Sequence, residues 1–271
     1  MNTSITAHMI VKNEDQFIWY AICSVLPNVK KFIIYDTGST DKTVSIIKTI
    51  NSPKIVFKQL GSIDSKQLVA LRNQQINETS TEWIWIVDGD EIYSTKTADS
   101  VVEATRNIHT IGIIVHRYDL LGDIYHSQTE SVGSYQQFEK KGHYVLRLIN
   151  KKLIPNLQVK GEYPNEYYTD KNGVSLKVRQ REHFVFVEER IFHAMYLKRS
   201  SMGAVLFDTL HRNKWKIETG IPIATSELPE VFFTEKPEIV PCVTQKRSLF
   251  YSLSAMSITP LKKIKRILLK K

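Results

Sequence analysis

The chain has 271 residues, 42% hydrophobic and 24% charged, a balance that excludes a disordered or fibrous protein and suits one large domain or two small ones. Its two cysteines, Cys23 and Cys242, make neither a disulfide framework nor a CxxC zinc pair, which fits a reducing compartment. The formal net charge of +9 is unevenly spread: eight of the 37 Lys and Arg residues and none of the 28 Asp and Glu residues follow Glu238, so a nearly neutral body carries a basic tail.

In chain order, residues 5–11 (ITAHMIV) are predicted as a buried strand. Residues 14–25 follow as a helix, with Phe17, Ile18, Ala21, Ile22 and Val25 on one face. Residues 31–35 (KFIIY) form a second strand ending at Asp36. A loop at 37–40 then leads into a helix from about Asp41, with Ser39 or Thr40 as its cap and Val44, Ile47 and Ile50 on its inner face. Residues 54–59 read as a third strand and 67–76 as a helix. Residues 83–87 (WIWIV) are apolar throughout, as in a central strand covered on both sides. Residues 97–107 read as a helix, and 111–117 and 144–150 as strands. Between them, 119–142 has the length and polarity of a mobile substrate loop. Residues 174–187 suggest a hairpin turned near Lys171-Asn172-Gly173, and 188–210 suggest a helix. Thr259-Pro260 is an expected helix start, followed by Leu261, Ile264, Ile267 and Leu268 amid lysines and arginines. No secretory leader is expected at Met1–Ser4, and no apolar run is long enough to cross a membrane.

Strands alternating with helices predict an α/β fold with a Rossmann-like, mostly parallel sheet flanked by helices. Ligands of such sheets bind beyond the carboxyl ends of the strands. Three polar clusters fall there: Lys12-Asn13-Glu14, Asp36, and Asp88-Gly89-Asp90-Glu91. Two carboxylates at the end of an apolar strand repel and lose hydration unless a cation neutralises them. A hard divalent ion, Mn²⁺ or Mg²⁺, meets that need and bridges carboxylates to phosphates. Gly89 permits a sharp turn and a close approach. The plainer alternatives are turn roles for Asp36, a surface ion pair for Arg72 and a first-turn acid for Glu14.

The segments IVKNE (10–14), YDTGSTDKT (35–43), LRN (71–73) and WIVDGDE (85–91) together resemble family 2 glycosyltransferases with the GT-A fold. The resemblance covers roughly the first 95 residues. It implies a nucleotide-sugar donor, UDP-sugars favoured, a divalent metal, and inversion at the anomeric carbon. It implies that Lys12, Asn13 and Glu14, with Val11 beside them, line the nucleoside pocket. Asp36 would contact the base, near Gly38, and Arg72 and Asn73 would lie near the diphosphate. Asp88 and Gly89 would stand by the ribose or metal, with Asp90 as the direct metal ligand and catalytic.

The segment 161–166 (GEYPNE) resembles a Gly-x-x-x-His-Glu stretch of bacterial relatives, with Asn165 where His is usual. It makes Glu166 the candidate catalytic base, with Asp119, Asp123 and Glu130 as rivals. His193 resembles a later histidine that completes the metal shell, and Lys198, with Arg199, could meet donor phosphates. The expected division is a GT-A domain over 1–240, with 1–95 its nucleotide-sugar-binding half and 96–240 its acceptor-binding half, then a basic amphipathic tail, 241–271, as a C-terminal helical extension. The acceptor is expected to be a glycan or lipid-linked hydroxyl. Residues 246–271 are expected to meet an anionic membrane on the inner, cytoplasmic face. A nearly neutral body argues against a specific nucleic acid. The rivals are a sugar-nucleotide nucleotidyltransferase, disfavoured because no Gly-rich, Arg-containing loop follows the first strand, and a non-catalytic membrane or nucleic-acid adaptor.

Overall fold

Apolar strands and amphipathic helices alternate in the first half as the sequence pattern requires. The computed structural model describes residues 4–197 and 216–268. Strands β1 (Ile5–Val11), β2 (Lys31–Asp36), β3 (Ile55–Gln59) and β4 (Trp83–Ile86) are separated by helices α1 (Ile18–Val25), α2 (Thr43–Lys48) and α3 (Ser65–Asn77). β1 runs parallel to β2 and β4, and β2 runs parallel to β3. All four residues of β4 are buried, as a strand covered on both faces demands. Helix α1 begins later than its apolar pattern, because the amides of Phe17 and Ile18 first close a turn on the Glu14 carbonyl. Helix α2 has Lys42 at its N-cap, and its first amide, on Thr43, donates to Asp41 Oδ1 at 2.9 Å. Ser39 and Thr40 are not its caps, because both bond to Asn13 instead.

The second half turns the sheet antiparallel. It contains β5 (Glu91–Ile92), α4 (Thr95–Ala104), β6 (Gly112–Leu121), β7 (His126–Ser127), β8 (Tyr135–Gln137), β9 (Lys140–Gly142) and β10 (Tyr144–Asn150). Then come β11 (Gln158–Lys160), β12 (Tyr167–Thr169), β13 (Phe184–Tyr196), β14 (Ile221–Pro222) and a last helix, α5 (Leu249–Leu268). β10 is antiparallel to both β4 and β6, so the sheet order is β14-β7-β6-β10-β4-β1-β2-β3. β13 lies parallel to β6 and antiparallel to β5. One buried cluster joins the two halves, from Met9, Ile22 and Trp85 to Phe192, Phe232 and Val240. The Tyr20 hydroxyl, bonded to the Pro241 carbonyl at 2.7 Å, fastens the returning segment to α1.

Four expectations in this half are corrected. Residues 188–196 are strand, not helix, and Leu197 is a bend; residues 198–210 of the expected helix, with Lys198 and Arg199, lie outside the described residues. The stretch has helix formers, but FVFV at its start and edges offered by both β6 and β5 decide for a strand, since tertiary pairing overrides local propensity. Residues 119–142 are not one open loop, because they hold the end of β6, β7 and the β8–β9 hairpin. Residues 174–187 form no hairpin: Thr169 bridges Ser175, and two short 3-10 turns lead into β13. Thr259-Pro260 starts nothing. It lies inside α5, where the Thr259 hydroxyl donates to the Ala255 carbonyl at 2.6 Å.

Candidate active site

Parallel pairing sets Val11 beside Asp36, so the loops after β1 and β2 leave the sheet together. The Thr37 amide and hydroxyl both donate to the Val11 carbonyl, at 2.9 and 3.1 Å. Asn13 has a φ of +56°, a left-handed conformation that its short amide side chain tolerates. Its amide donates to Ser39 Oγ and its Oδ1 accepts from the Thr40 amide. The Glu14 amide donates to Thr43 Oγ1 at 2.8 Å. Asp36 is buried, and its carboxylate accepts from the Gly38 and Ser39 amides. Gly38, at φ +86°, would bring a Cβ within 2.9 Å of the Ser62 nitrogen, so no larger residue fits.

The acidic motif joins this rim through Gly89. A Cβ there would lie 3.2 Å from Val11 Cγ2 and 3.3 Å from Glu14. Residues 11–14, 36–40 and 88–90 therefore meet at one end of the parallel sheet. Lys12 is exposed there.

The cation that neutralises Asp88 belongs to the protein. Arg147, from β10, is buried; its Nη2 donates to Asp88 Oδ2 at 2.7 Å and to Glu91 Oε1. Burial opposes the Asp88 charge, but Arg147 outweighs it and holds the carboxyl below the usual range. Burial instead pushes Glu91 up, although Arg147 opposes it. Asp88 therefore has a protein cation beside it as well as its place in the acidic motif. Nothing in the sequence marked Arg147, which sits in an ordinary apolar strand with no motif around it.

Arg72, on α3, lies 3.3 Å from Glu166 Oε1 through Nη2. The charge of Asp88 also acts on it. Arg72 Nε and Glu166 Oε2 are buried without a hydrogen-bond partner. Tyr168, which sequence reasoning passed over, is within electrostatic reach of Arg72, Arg147, Asp88 and Glu166. Asn73 has other work: its Nδ2 donates to the Val69 and Val159 carbonyls, and its Oδ1 accepts from the Val159 amide. It fastens α3 to β11 rather than reaching for a diphosphate. The rivals of Glu166 are committed as well. Asp123 accepts from Tyr125, His126 and Arg247, while Glu130 pairs with His116 and Arg190.

His193 stands between two carboxylates, with Nε2 3.4 Å from Asp90 Oδ2 and Nδ1 3.1 Å from Asp119 Oδ1. Burial works against its protonation, yet Asp90 and Asp119 raise it to about 9. Asp119 is buried too; hydrogen bonding from His193 and the charge of Arg117 bring it down to about 2 against that burial. Among the described residues no three His, Cys, Asp or Glu side chains surround one point. The donor chemistry of Asp90 and His193, a carboxylate oxygen and an imidazole nitrogen facing one gap, fits a divalent ion that takes its remaining ligands from phosphate and water.

Comparison with known proteins follows the same outline. The profile described as Glycosyl transferase family 2 matches residues 6–157. The SPbeta prophage-derived glycosyltransferase SunS of Bacillus subtilis is 29% identical over 188 residues, 65% of this chain and 43% of that protein. An uncharacterised glycosyltransferase of Rickettsia felis is 30% identical over 149 residues, 55% of this chain and 48% of its own. The chain thus spans less than half the length of these relatives. Among solved structures, S. aureus TarS aligns with 72% of this chain and 37% of its own, at a TM-score of 0.46 and 13% identity.

Proposed function

The chain belongs to glycosyltransferase family 2, and from that membership we propose that it transfers a sugar from a nucleotide-sugar donor to an acceptor hydroxyl, with inversion and with a divalent metal. The observation that carries the reading is the seating of Gly89 on Val11 and Glu14, which unites three polar loops at one rim. Lys12, Asn13, Glu14 and Asp36 frame the nucleoside. Arg72, with an unpartnered Nε, offers a donor to the diphosphate. Asp90 and His193 would hold Mn²⁺ or Mg²⁺, which when bound neutralises charge on the departing diphosphate.

Glu166 takes the acceptor proton. As the acceptor oxygen bonds to the anomeric carbon, the bond from that carbon to the diphosphate oxygen breaks, and its electron pair leaves with the nucleoside diphosphate. Glu166 suits the task because its rivals are tied into other pairs, whereas its Oε2 is buried and unpartnered. The acceptor is a glycan or lipid-linked hydroxyl, and α5 rests the protein on an anionic membrane at the cytoplasmic side.

The test is a melting-temperature screen of UDP-, GDP- and dTDP-sugars with Mn²⁺, followed by NMR assignment of the anomeric product. A UDP-sugar should raise the melting temperature in the presence of Mn²⁺. Asp90→Ala should lose metal-dependent turnover by at least about 100-fold while keeping its fold. Full turnover by that variant in excess EDTA would refute the metal role. Pyrophosphate released from a nucleoside triphosphate and a sugar phosphate would favour the nucleotidyltransferase instead.

A further inference from the structure

We propose that Asp119 is the positioning residue of the metal site: it fixes the His193 ring so that Nε2, and not Nδ1, is presented beside Asp90. The inference rests on the proposed metal role of Asp90 and His193 and goes beyond it. Parallel pairing places His193 directly opposite Asp119 across β13 and β6, and Asp119 Oδ1 lies 3.1 Å from His193 Nδ1.

A carboxylate is only an acceptor, so Nδ1 must carry the hydrogen of this bond. Nε2 is thereby turned toward Asp90 Oδ2, 3.4 Å away. A divalent ion bound between them would take the place of the Nε2 proton that Asp90 otherwise accepts. Asp119 is itself immobilised: it is 1% exposed, Arg117 Nε lies 2.8 Å from its Oδ1, and its own carbonyl accepts from the Gln128 amide. A ligating imidazole held by a second carboxylate keeps one tautomer and one orientation, and loss of such a partner typically costs about 10- to 100-fold in metal affinity.

The experiment follows free Mn²⁺ by EPR as it is titrated into the whole chain, alone and with UDP. Wild type should bind Mn²⁺, and Asp119→Asn should bind it about 10- to 100-fold more weakly. Asp119→Asn also leaves Arg117 buried beside a neutral partner, so Arg117→Met/Asp119→Asn is measured in parallel. If Asp119 only balances Arg117, the double variant regains wild-type Mn²⁺ affinity, and the inference falls. If it positions His193, the double variant regains melting temperature but stays weak in Mn²⁺. No Mn²⁺ binding by wild type overturns the metal reading and this inference together. Normal binding by wild type and by both variants overturns the inference alone. Should the variants not fold, ¹⁵N-histidine spectra of wild type saturated with Mg²⁺ decide: the single proton of the ligated His193 ring belongs on Nδ1, and a single proton on Nε2 refutes the assignment.

Discussion

Arg147 shows how a single side chain can reverse an electrostatic argument. Two carboxylates at the end of a strand do require a positive partner, and Arg147 supplies it for Asp88 and Glu91. Arg147→Met should leave Glu91 buried and Asp88 unpartnered, at a cost of about 3–5 kcal/mol. That penalty should shrink as pH falls, because protonation discharges the stranded acids. Urea unfolding at pH 7 and pH 5 checks it, and a loss that grows with acid would contradict it. His8 gives a second pH signature. It is buried against Thr79, and burial, assisted by Arg72 and Lys151, lowers it to about 3. In the unfolded chain an ordinary histidine titrates near 6.5, so only the unfolded state takes up the proton between these values. The contribution is complete above pH 6.5 and is lost as pH falls, by about 2 kcal/mol at pH 5. His8→Gln should flatten that part of the stability curve, and an unchanged slope would dismiss the assignment.

At the scale of elements, what was legible in the sequence follows from how local each signal is. β1, β2 and β4 announce themselves by apolar runs ending in polar loops, and parallel pairing then fixes where those loops converge. That is why Lys12, Asp36 and Asp88–Asp90 could be assembled from sequence, whereas Arg147 and Tyr168 could not: they reach the site from β10 and β12, whose sequences carry no motif. β13 was hidden for a related reason, since the edges that make it a strand lie on β5 and β6, far away in the chain. Pro260 misled in the opposite direction, because a local start signal lost to a helix docked along its length by Tyr251, Ala255, Thr259 and Arg266. Pro260 supplies no amide hydrogen to the Met256 carbonyl. Pro260→Ala should restore that bond, increase helical circular dichroism and stabilise the protein by about 1–3 kcal/mol. A loss of stability would mean that proline's shape is needed for the docking.

For the whole molecule, the proposed membrane contact rests on α5. Its docked seam runs through Tyr251, Ala255, Thr259, Lys262 and Arg266, and the last two pair with Glu218. Leu249, Phe250, Leu253, Met256, Leu261, Ile264, Ile267 and Leu268 are all exposed, Phe250 by 79%. The spacing of Leu249, Leu253, Met256, Ile264 and Ile267 keeps them on one face, and by the same geometry Lys263 and Lys265 flank it. Leu269, Lys270 and Lys271, the end of the expected basic tail, lie outside the described residues. Among the described residues no helix is long and apolar enough to cross a membrane, so this face would lie in the interface rather than span it. Each apolar residue it buries there gains about 25 cal/mol per Å², and each nearby lysine adds about 1 kcal/mol on an anionic leaflet. The chain should therefore co-sediment with phosphatidylglycerol vesicles, bind phosphatidylcholine vesicles far less, and release as salt rises through screening. Leu249→Gln/Leu253→Gln/Ile264→Gln should abolish that binding while leaving turnover of a soluble acceptor intact, because none of the three touches the rim. Equal binding to neutral vesicles would remove the charge argument. A dimer in ultracentrifugation that the triple variant dissolves would give the apolar face to a second copy of the chain instead of a bilayer.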